Sequence, residues 1–380
     1  MRLGRAQSFP TLQHEAWVCL MRLVLLGDAQ SPHLLKWARA LAPRLELWAA
    51  SSRGFLPEFD DVIPPSRRLA LQTSPRFEGG NAALLRCLPR LVAWLRPIQA
   101  DWLHAHYLTS HGTLAWLAQR LGVRARLVGS AWGSDILVTP QRGAPWRWLT
   151  RRVLAACELT TSDSHFMAER MRELGAREVM VFPFGLEALP TVTDPKEDGL
   201  FFANRGLEDI YNPFRVLDVF AHLSQGWPQA RLVVAHDGAL RVPMEEKVRA
   251  MGLSDRVRFT GRLDAVSQST LYGRARWYLS LPRSDSVSVS VLEAMAHGCI
   301  PLLSDLPANR ELVTHGENGW ILAEGASPSM DELKPLAARG DVVGLYNRQW
   351  VGEHALFPQA VDQFVQRLVQ LQSGGSIPPR

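Results

Sequence analysis

Two carboxylates eight residues apart, Asp285 and Glu293, bracket the stretch SDSVSVSVLEAMAHG. Its first part alternates Ser and Val from Ser286 to Val291, a period of two that predicts a strand, while Leu292–Ala296 are strong helix formers that stop at His297-Gly298. We place a helix over 289–297, with serines at its entry. A helix N-terminus presents N–H groups that lack intrahelical acceptors and carries partial positive charge, so it suits an anion such as a phosphate group. Ser286, Ser288, Ser290 and the intervening amides, that of Val289 among them, supply neutral donors there. Glu293 sits just inside, where a carboxylate can accept hydroxyls.

Other chemistries lose support. The chain has no G-x-G-x-x-G, no Walker A and no G-x-G at all, which removes the usual dehydrogenase and P-loop phosphate cradles. It also lacks H-E-x-x-H, G-x-S-x-G and D-x-D, which weakens zinc peptidase, serine hydrolase and metal-chelating transferase readings. Cys19, Cys87, Cys157 and Cys299 are scattered, without CxxC pairs or His neighbours at metal spacing. Neither a metal nor a disulfide framework is expected, and a reducing cytoplasm fits.

These residues need a scaffold, and 380 residues at 47% hydrophobic and 21% charged suggest a globular chain of two domains or more. No apolar run is long enough to span a bilayer. Residues 1–20 read as an extension, because Arg2 and Arg5 are followed by Gln, His and Glu where a signal peptide would be apolar. Apolar strand-like runs then alternate with amphipathic segments, the pattern of parallel sheets covered by helices. We place strands at 22–26, 45–49, 102–105, 126–130 and 158–162, with helices at 31–41, 82–95, 113–121 and 164–174. LPTVTDPKEDG, residues 189–199, reads as a linker. A second series follows, with strands at 200–203, 231–235, 257–260, 277–281 and 300–304. Its helices are placed at 215–223, 243–251, 265–274 and 289–297, and a closing helix at 359–372. The expected domains are 21–188 and 200–355, with residues 356–372 packing back on the first and 373–380 as a tail.

The segment from Ser284 to Trp320 resembles the nucleotide-sugar signature of the family 4 glycosyltransferases. In that signature two acidic residues eight apart precede A-M-A-x-G, P-x-x-S-D, an R-E turn and G-x-N-G. Here these are Asp285 and Glu293, Ala294 to Gly298, Pro301 to Asp305, Arg310-Glu311, and Gly316 to Gly319. LVLLGDAQSPHLLKWARAL, DWLHAHYLTSHG, SAWGSDI, VFPFGLE and FFANRG resemble further segments of the family, so the likeness runs from about residue 21 to about 355. It implies a GT-B fold: α/β, two Rossmann-like doubly wound domains facing a central cleft.

The resemblance also implies roles. Glu293 would hold both ribose hydroxyls of the nucleotide and Asp285 the hydroxyls of the donor sugar; aspartate replaces the family's usual glutamate and reaches one methylene less. Arg205 would neutralise the leaving diphosphate, as a bidentate cation can. The family's lysine five or six positions later is absent, and Arg215, Tyr211 or Asn212 are the candidates to compensate. His106, at the carboxyl end of its strand, would face the donor sugar, while His104 reads as structural. Gly27 and Asp28, in the first βα loop, would let the backbone approach phosphate or acceptor. Trp132 is either a stacking platform or core packing. The implied activity is a retaining, metal-independent hexosyl transfer in bacterial surface polysaccharide synthesis. It would need no cofactor beyond a UDP- or GDP-sugar as co-substrate, and would act on a glycan or polyprenyl-diphosphate-linked glycan acceptor. The alternatives are a sugar-nucleotide epimerase of the same fold and a protein that binds nucleotide sugar without transferring it.

Charge points to one more partner. Residues 1–190 carry 23 Lys and Arg against 15 Asp and Glu, and the remainder 19 against 22. Two basic segments hold apolar or aromatic residues: 82–95, with Arg86 and Arg90 among leucines, and QRGAPWRWLTRRVL, with Arg142, Arg147, Arg151 and Arg152 around Trp146 and Trp148. Basic residues with interfacial Trp favour an anionic membrane surface and a peripheral location on the inner membrane. No RNA-binding motif accompanies the basic half, so nucleic acid is not an expected partner.

Overall fold

The structure is a computed structural model that describes residues 21–73, 82–191 and 194–374. The extension at 1–20, residues 192–193 of the linker and 375–380 of the tail lie outside the described residues. The chain divides into two compact units. One comprises 21–162, 170–180 and 358–374, the other 163–169 and 181–357.

The first unit is built on a parallel sheet of β1 (Arg22–Gly27), β2 (Glu46–Ser51), β3 (Arg68–Ala70), β4 (Trp102–His106), β5 (Arg126–Ser130), β6 (Cys157–Ser162) and β7 (Val179–Val181), in the order β3-β2-β1-β4-β5-β6-β7. Its helices are α1 (Pro32–Leu41), α2 (Ala82–Arg86), α3 (Leu88–Ile98), α4 (Thr113–Arg120), α5 (Ser134–Leu137) and α6 (Ala144–Ala156), and α7 (His165–Glu173) follows β6. The second unit's sheet holds β8 (Glu197–Asn204), β9 (Arg231–Ala235), β10 (Val257–Gly261), β11 (Ala275–Ser280), β12 (Ile300–Ser304) and β13 (Trp320–Leu322), in the order β10-β9-β8-β11-β12-β13. Its helices are α8 (Pro213–Gly226), α9 (Arg241–Ala250), α10 (Ala265–Arg274), α11 (Val289–Ala296), α12 (Pro307–Leu312), α13 (Met330–Ala338) and α14 (Gly340–His354). In each sheet the strand order reverses beside the first strand, between β1 and β4 and between β8 and β11. Such a reversal opens a crevice at the carboxyl ends of those two strands.

The last helix, α15 (Phe357–Gln372), packs on the first unit from residue 358 onward. Phe364 is fully buried against Trp37 at 5.1 Å and His104 at 5.2 Å between ring centroids. Arg367 grips Glu178 with two bonds, Nε at 2.6 Å and Nη2 at 2.7 Å.

Three sequence expectations are corrected. Ser286–Val291 forms no strand: Ser288 is the residue before α11, because the helix-forming run after it wins over the Ser-Val period. The linker ends early, since Glu197–Gly199 already belong to β8. The 82–95 helix divides at Cys87, with Pro89 in the first turn of α3, where proline is tolerated. Leu84, Leu91, Val92 and Leu95 all turn into the core. Those four side chains are therefore not available to a membrane, whereas Leu85 is 47% exposed. Among the described residues no helix is long and apolar enough to cross one.

Candidate functional site

In the second unit, the β8–β11 crevice gathers residues from three places in the chain. Arg205 follows β8, Asp285 follows β11, and Ser288 and Ser290 stand at the start of α11. Arg205 Nη2 donates to Asp285 Oδ2 at 2.6 Å, and its Nη1 donates to the Ser288 hydroxyl and to Ser290 Oγ at 3.5 Å. The two serine hydroxyls lie 2.9 Å apart. The Tyr211 ring lies 4.4 Å from the guanidinium carbon of Arg205, a cation–π contact. Burial works against the charge of Arg205, but the nearby negative charge of Asp285 outweighs it and the guanidinium stays protonated. Burial likewise raises the Asp285 carboxyl, against the pull of Arg205.

Ser288 makes no side-chain cap on α11, because its hydroxyl is engaged with Arg205. The first-turn amides of Val289 and Ser290 thus keep the anion-attracting character of a helix start. One turn further in, Glu293 Oε2 accepts from Gln268 Nε2 at 3.0 Å and from the Tyr272 hydroxyl at 3.1 Å. Tyr272 in turn accepts from Asn204 Nδ2 at 3.1 Å, so a polar chain ties the end of β8 to the carboxylate.

Two expected members are placed elsewhere. Ser286 donates to Asp163 and lies 2.8 Å from Ser164 Oγ. Burial pushes the Asp163 carboxyl up to about 7. Arg215 reaches the carbonyls of Ala323 at 3.0 Å and Ala326 at 2.5 Å, and so braces the turn after β13 rather than joining Arg205.

In the first unit, the β1–β4 crevice holds Gly27, Asp28 and His106. A side chain at Gly27 would meet Leu34 at 3.0 Å and the His106 Cβ at 3.3 Å, so glycine is what lets the loop pass this close. Asp28 Oδ1 accepts from the Gln30 amide at 3.0 Å, and Oδ2 lies 3.5 Å from Arg53 Nε. His106 is 4% exposed and neither ring nitrogen has a hydrogen-bond partner among the described residues. Its ring lies 4.2 Å from that of His104 and 5.9 Å from that of Trp132. His104 is bonded to Ser130 Oγ at 2.7 Å, which itself meets Thr161 Oγ1 at 2.7 Å. Tyr107, next to His106, has a φ of 71°, a costly value for a bulky residue and of the kind found at functional sites.

Asp135 has a part that sequence reasoning missed. Wholly buried, it accepts from the Leu108 amide at 2.8 Å and from the Trp132 amide at 2.9 Å, clamping the loop after β4 to the loop after β5. The G-S-D-I string was the available signal. Burial raises its carboxyl to about 6.

The buried histidines make the first unit acid-sensitive. Burial lowers His104 to about 3 and His111 to about 4, and lowers His106 well below 6.5. Each is neutral when folded and takes a proton when unfolded below 6.5, so the stability it contributes is lost as pH falls from 6.5 toward 3. Asp135 works the other way, binding its proton more tightly when folded between about 6 and 3.8, and offsets part of that loss. The net expectation is a loss of stability as pH falls from 7 to 4. Urea unfolding across that range, followed by Trp fluorescence, checks it. An unchanged midpoint would contradict it.

Two parallel sheets with reversed strand order, each carrying polar residues at its crevice, define a protein built of two Rossmann-like units. Comparison with known proteins agrees. Residues 187–333 match the family model described as glycosyl transferases group 1, and residues 22–164 match that described as glycosyl transferase 4-like. The chain belongs to the group 1, family 4 glycosyltransferases and has their GT-B fold. It is 27% identical over 239 residues to the N-acetyl-alpha-D-glucosaminyl L-malate synthase of Bacillus anthracis, covering 59% of this chain and 62% of that one. It is 24% identical to the phosphatidyl-myo-inositol mannosyltransferase of Mycobacterium leprae, covering 86% and 87%. Anabaena HepE, solved in complex with UDP and glucose, superposes with a TM-score of 0.72 at 15% identity, over 92% of this chain and 99% of that one.

Proposed function

We propose that this glycosyltransferase moves a hexose from a UDP- or GDP-sugar to a glycan acceptor carried on a lipid, such as a polyprenyl diphosphate, with retention at the anomeric carbon and without a metal ion. On this reading the reaction runs at the cytoplasmic face of a bacterial membrane. One observation carries the reading: Arg205, Ser288, Ser290 and the start of α11 converge at the β8–β11 crevice, one helical turn from Glu293. The arrangement supplies a bidentate cation and helix-end amides for a diphosphate, and a carboxylate for the ribose diol. The co-crystallised UDP and glucose in HepE, and the lipid named in the M. leprae mannosyltransferase, support the donor and acceptor classes.

As the anomeric C–O bond breaks, its electron pair passes to the departing diphosphate, whose charge Arg205 and the α11 amides stabilise. The sugar acquires oxocarbenium character. The acceptor oxygen enters from the face the diphosphate leaves, and its proton passes to a phosphate oxygen. Glu293 and Asp285 bind and orient the donor.

The test is release of nucleoside diphosphate with and without a lipid-linked glycan acceptor, in EDTA. Release only with acceptor, together with an α-linked product from an α-linked donor, is the expected result. Acceptor-independent release of UDP or GDP, interconversion of the sugar, or loss of turnover in EDTA would contradict the proposal.

A further inference from the structure

Helices α10 and α11 meet through a polar cluster that no step of the transfer explains. Gln268 and Tyr272 lie one turn apart on α10, so their side chains leave the same face of the helix. Gln268 Nε2 and the Tyr272 hydroxyl both donate to one oxygen of Glu293, Oε2, at 3.0 and 3.1 Å. Asn204 Nδ2 donates to the same phenol oxygen at 3.1 Å, which turns the phenol proton toward the carboxylate. Asn204 ends β8 and Arg205 follows it, so the cluster reaches the residue beside the cation of the crevice.

The ring of Tyr272 is held as well as its proton. Tyr272 is 1% exposed; its ring meets that of Phe202 edge-on at 4.9 Å and stacks on that of His297 at 5.3 Å and 24°. His297 is itself anchored. Its Nδ1 donates to the Glu293 carbonyl oxygen at 2.8 Å, which leaves Nε2 to accept from the Ser269 hydroxyl at 2.9 Å. Burial, with Tyr278 and Glu293 nearby, keeps the phenol proton in place well beyond the ordinary tyrosine range, so Tyr272 is a donor at neutral pH.

A carboxylate on an unbranched stem loses rotamer freedom when it takes a ligand, and that loss weakens binding. Here two donors restrict the carboxylate beforehand. A ribose diol presents two hydroxyls at a fixed spacing, and a carboxylate held at one angle meets both with good geometry. We infer that Gln268 and Tyr272 are positioning residues that hold Glu293 for the diol and so set a preference for ribonucleotides over 2′-deoxyribonucleotides. That role rests on the ribose contact proposed above for Glu293.

The test is titration calorimetry of the full chain with UDP, GDP and the 2′-deoxy counterpart of each, on wild type, Tyr272→Phe and Gln268→Leu. Wild type should prefer the ribonucleotide roughly thirtyfold, the worth of one charge-assisted hydrogen bond. Tyr272→Phe keeps the ring, removes only the hydroxyl and should cut that preference about fivefold. Gln268→Leu, at a half-buried position, should cut it about threefold, and it decides the matter if loss of the phenol hydroxyl unfolds the chain. Binding of the 2′-deoxynucleotide shows that a variant is folded. A residue that only packs the fold would weaken both nucleotides alike and leave their ratio unchanged. An unchanged ratio in a folded variant, beside a wild type that discriminates, overturns that residue's role and leaves the ribose contact standing. A wild type that binds neither nucleotide, or both sugars equally, overturns the ribose contact and the positioning role with it.

Discussion

Arg205→Ala should lower kcat/KM for transfer by on the order of a thousandfold while leaving the protein folded. The guanidinium is the cation of the β8–β11 crevice, and it already holds two serine hydroxyls and Asp285 in a fixed fork. A leaving diphosphate gains most of its charge after the anomeric bond weakens, so the loss should fall chiefly on kcat. Arg205→Lys should recover only part of the activity, because an ammonium on a flexible stem cannot reproduce the parallel donors or the contact over Tyr211. Steady-state kinetics with the donor varied checks this, with a thermal melt as the folding control. Activity within tenfold of wild type in the alanine variant would contradict the assignment.

Asp285→Asn should act on binding and turnover in opposite directions. Asp285 Oδ2 holds Arg205 Nη2 at 2.6 Å, so an incoming diphosphate must displace an internal anion before it gains the cation. Burial makes that carboxylate costly to leave alone, and the swap therefore has a penalty. Asparagine keeps the shape and removes the competing charge. Nucleoside diphosphate should bind about tenfold tighter to the variant. Turnover of the sugar donor should fall roughly thirtyfold, because a charged acceptor for sugar hydroxyls is gone. Titration calorimetry and kinetics on one preparation measure both. Weaker or unchanged diphosphate binding would show that the ion pair does not compete with ligand.

The sequence announced much of this site, and the reasons are local. Eight-residue spacing and the run of helix formers after Ser288 were enough to set Glu293 one turn inside a helix, because helix propensity and the stop at Gly298 are properties of neighbouring residues. The parallel two-sheet plan was legible for the same reason, from apolar runs alternating with amphipathic ones. The Arg205–Asp285 pair was not, since the partners are 80 residues apart and meet only through the strand order. Nor was the diversion of Ser286 to Asp163, a contact across 123 residues. Arg215, a candidate to compensate for the missing lysine, is pointed by α8 at the turn after β13.

The same contrast explains the elements left unassigned. β3, β7 and β13 have three residues each, too few to show a period. α13 and α14 contain Pro335, Gly340 and Gly344, which look like helix breakers. Gly344 is needed because a side chain there would strike the Gly298 carbonyl oxygen at 2.6 Å, so the glycine lets α14 lie against the end of α11. Asn318 of the G-E-N-G turn is likewise architectural. Its amide bonds Leu312 O and Asn347 Oδ1 at 3.0 Å, and Asn347 returns bonds to the carbonyls of Asn318 and Cys299. A polar residue in a family motif here holds the backbone and leaves ligand contact to others.

The second unit should bind a nucleoside diphosphate at the β8–β11 crevice without a metal. Titration calorimetry of UDP, GDP, ADP and TDP in EDTA, on wild type and on Glu293→Ala, tests it most directly. UDP or GDP should bind, and the substitution should weaken binding about thirtyfold, since a carboxylate on a ribose diol makes two charge-assisted hydrogen bonds. Binding of none of the four, or equal binding by Glu293→Ala, would contradict it.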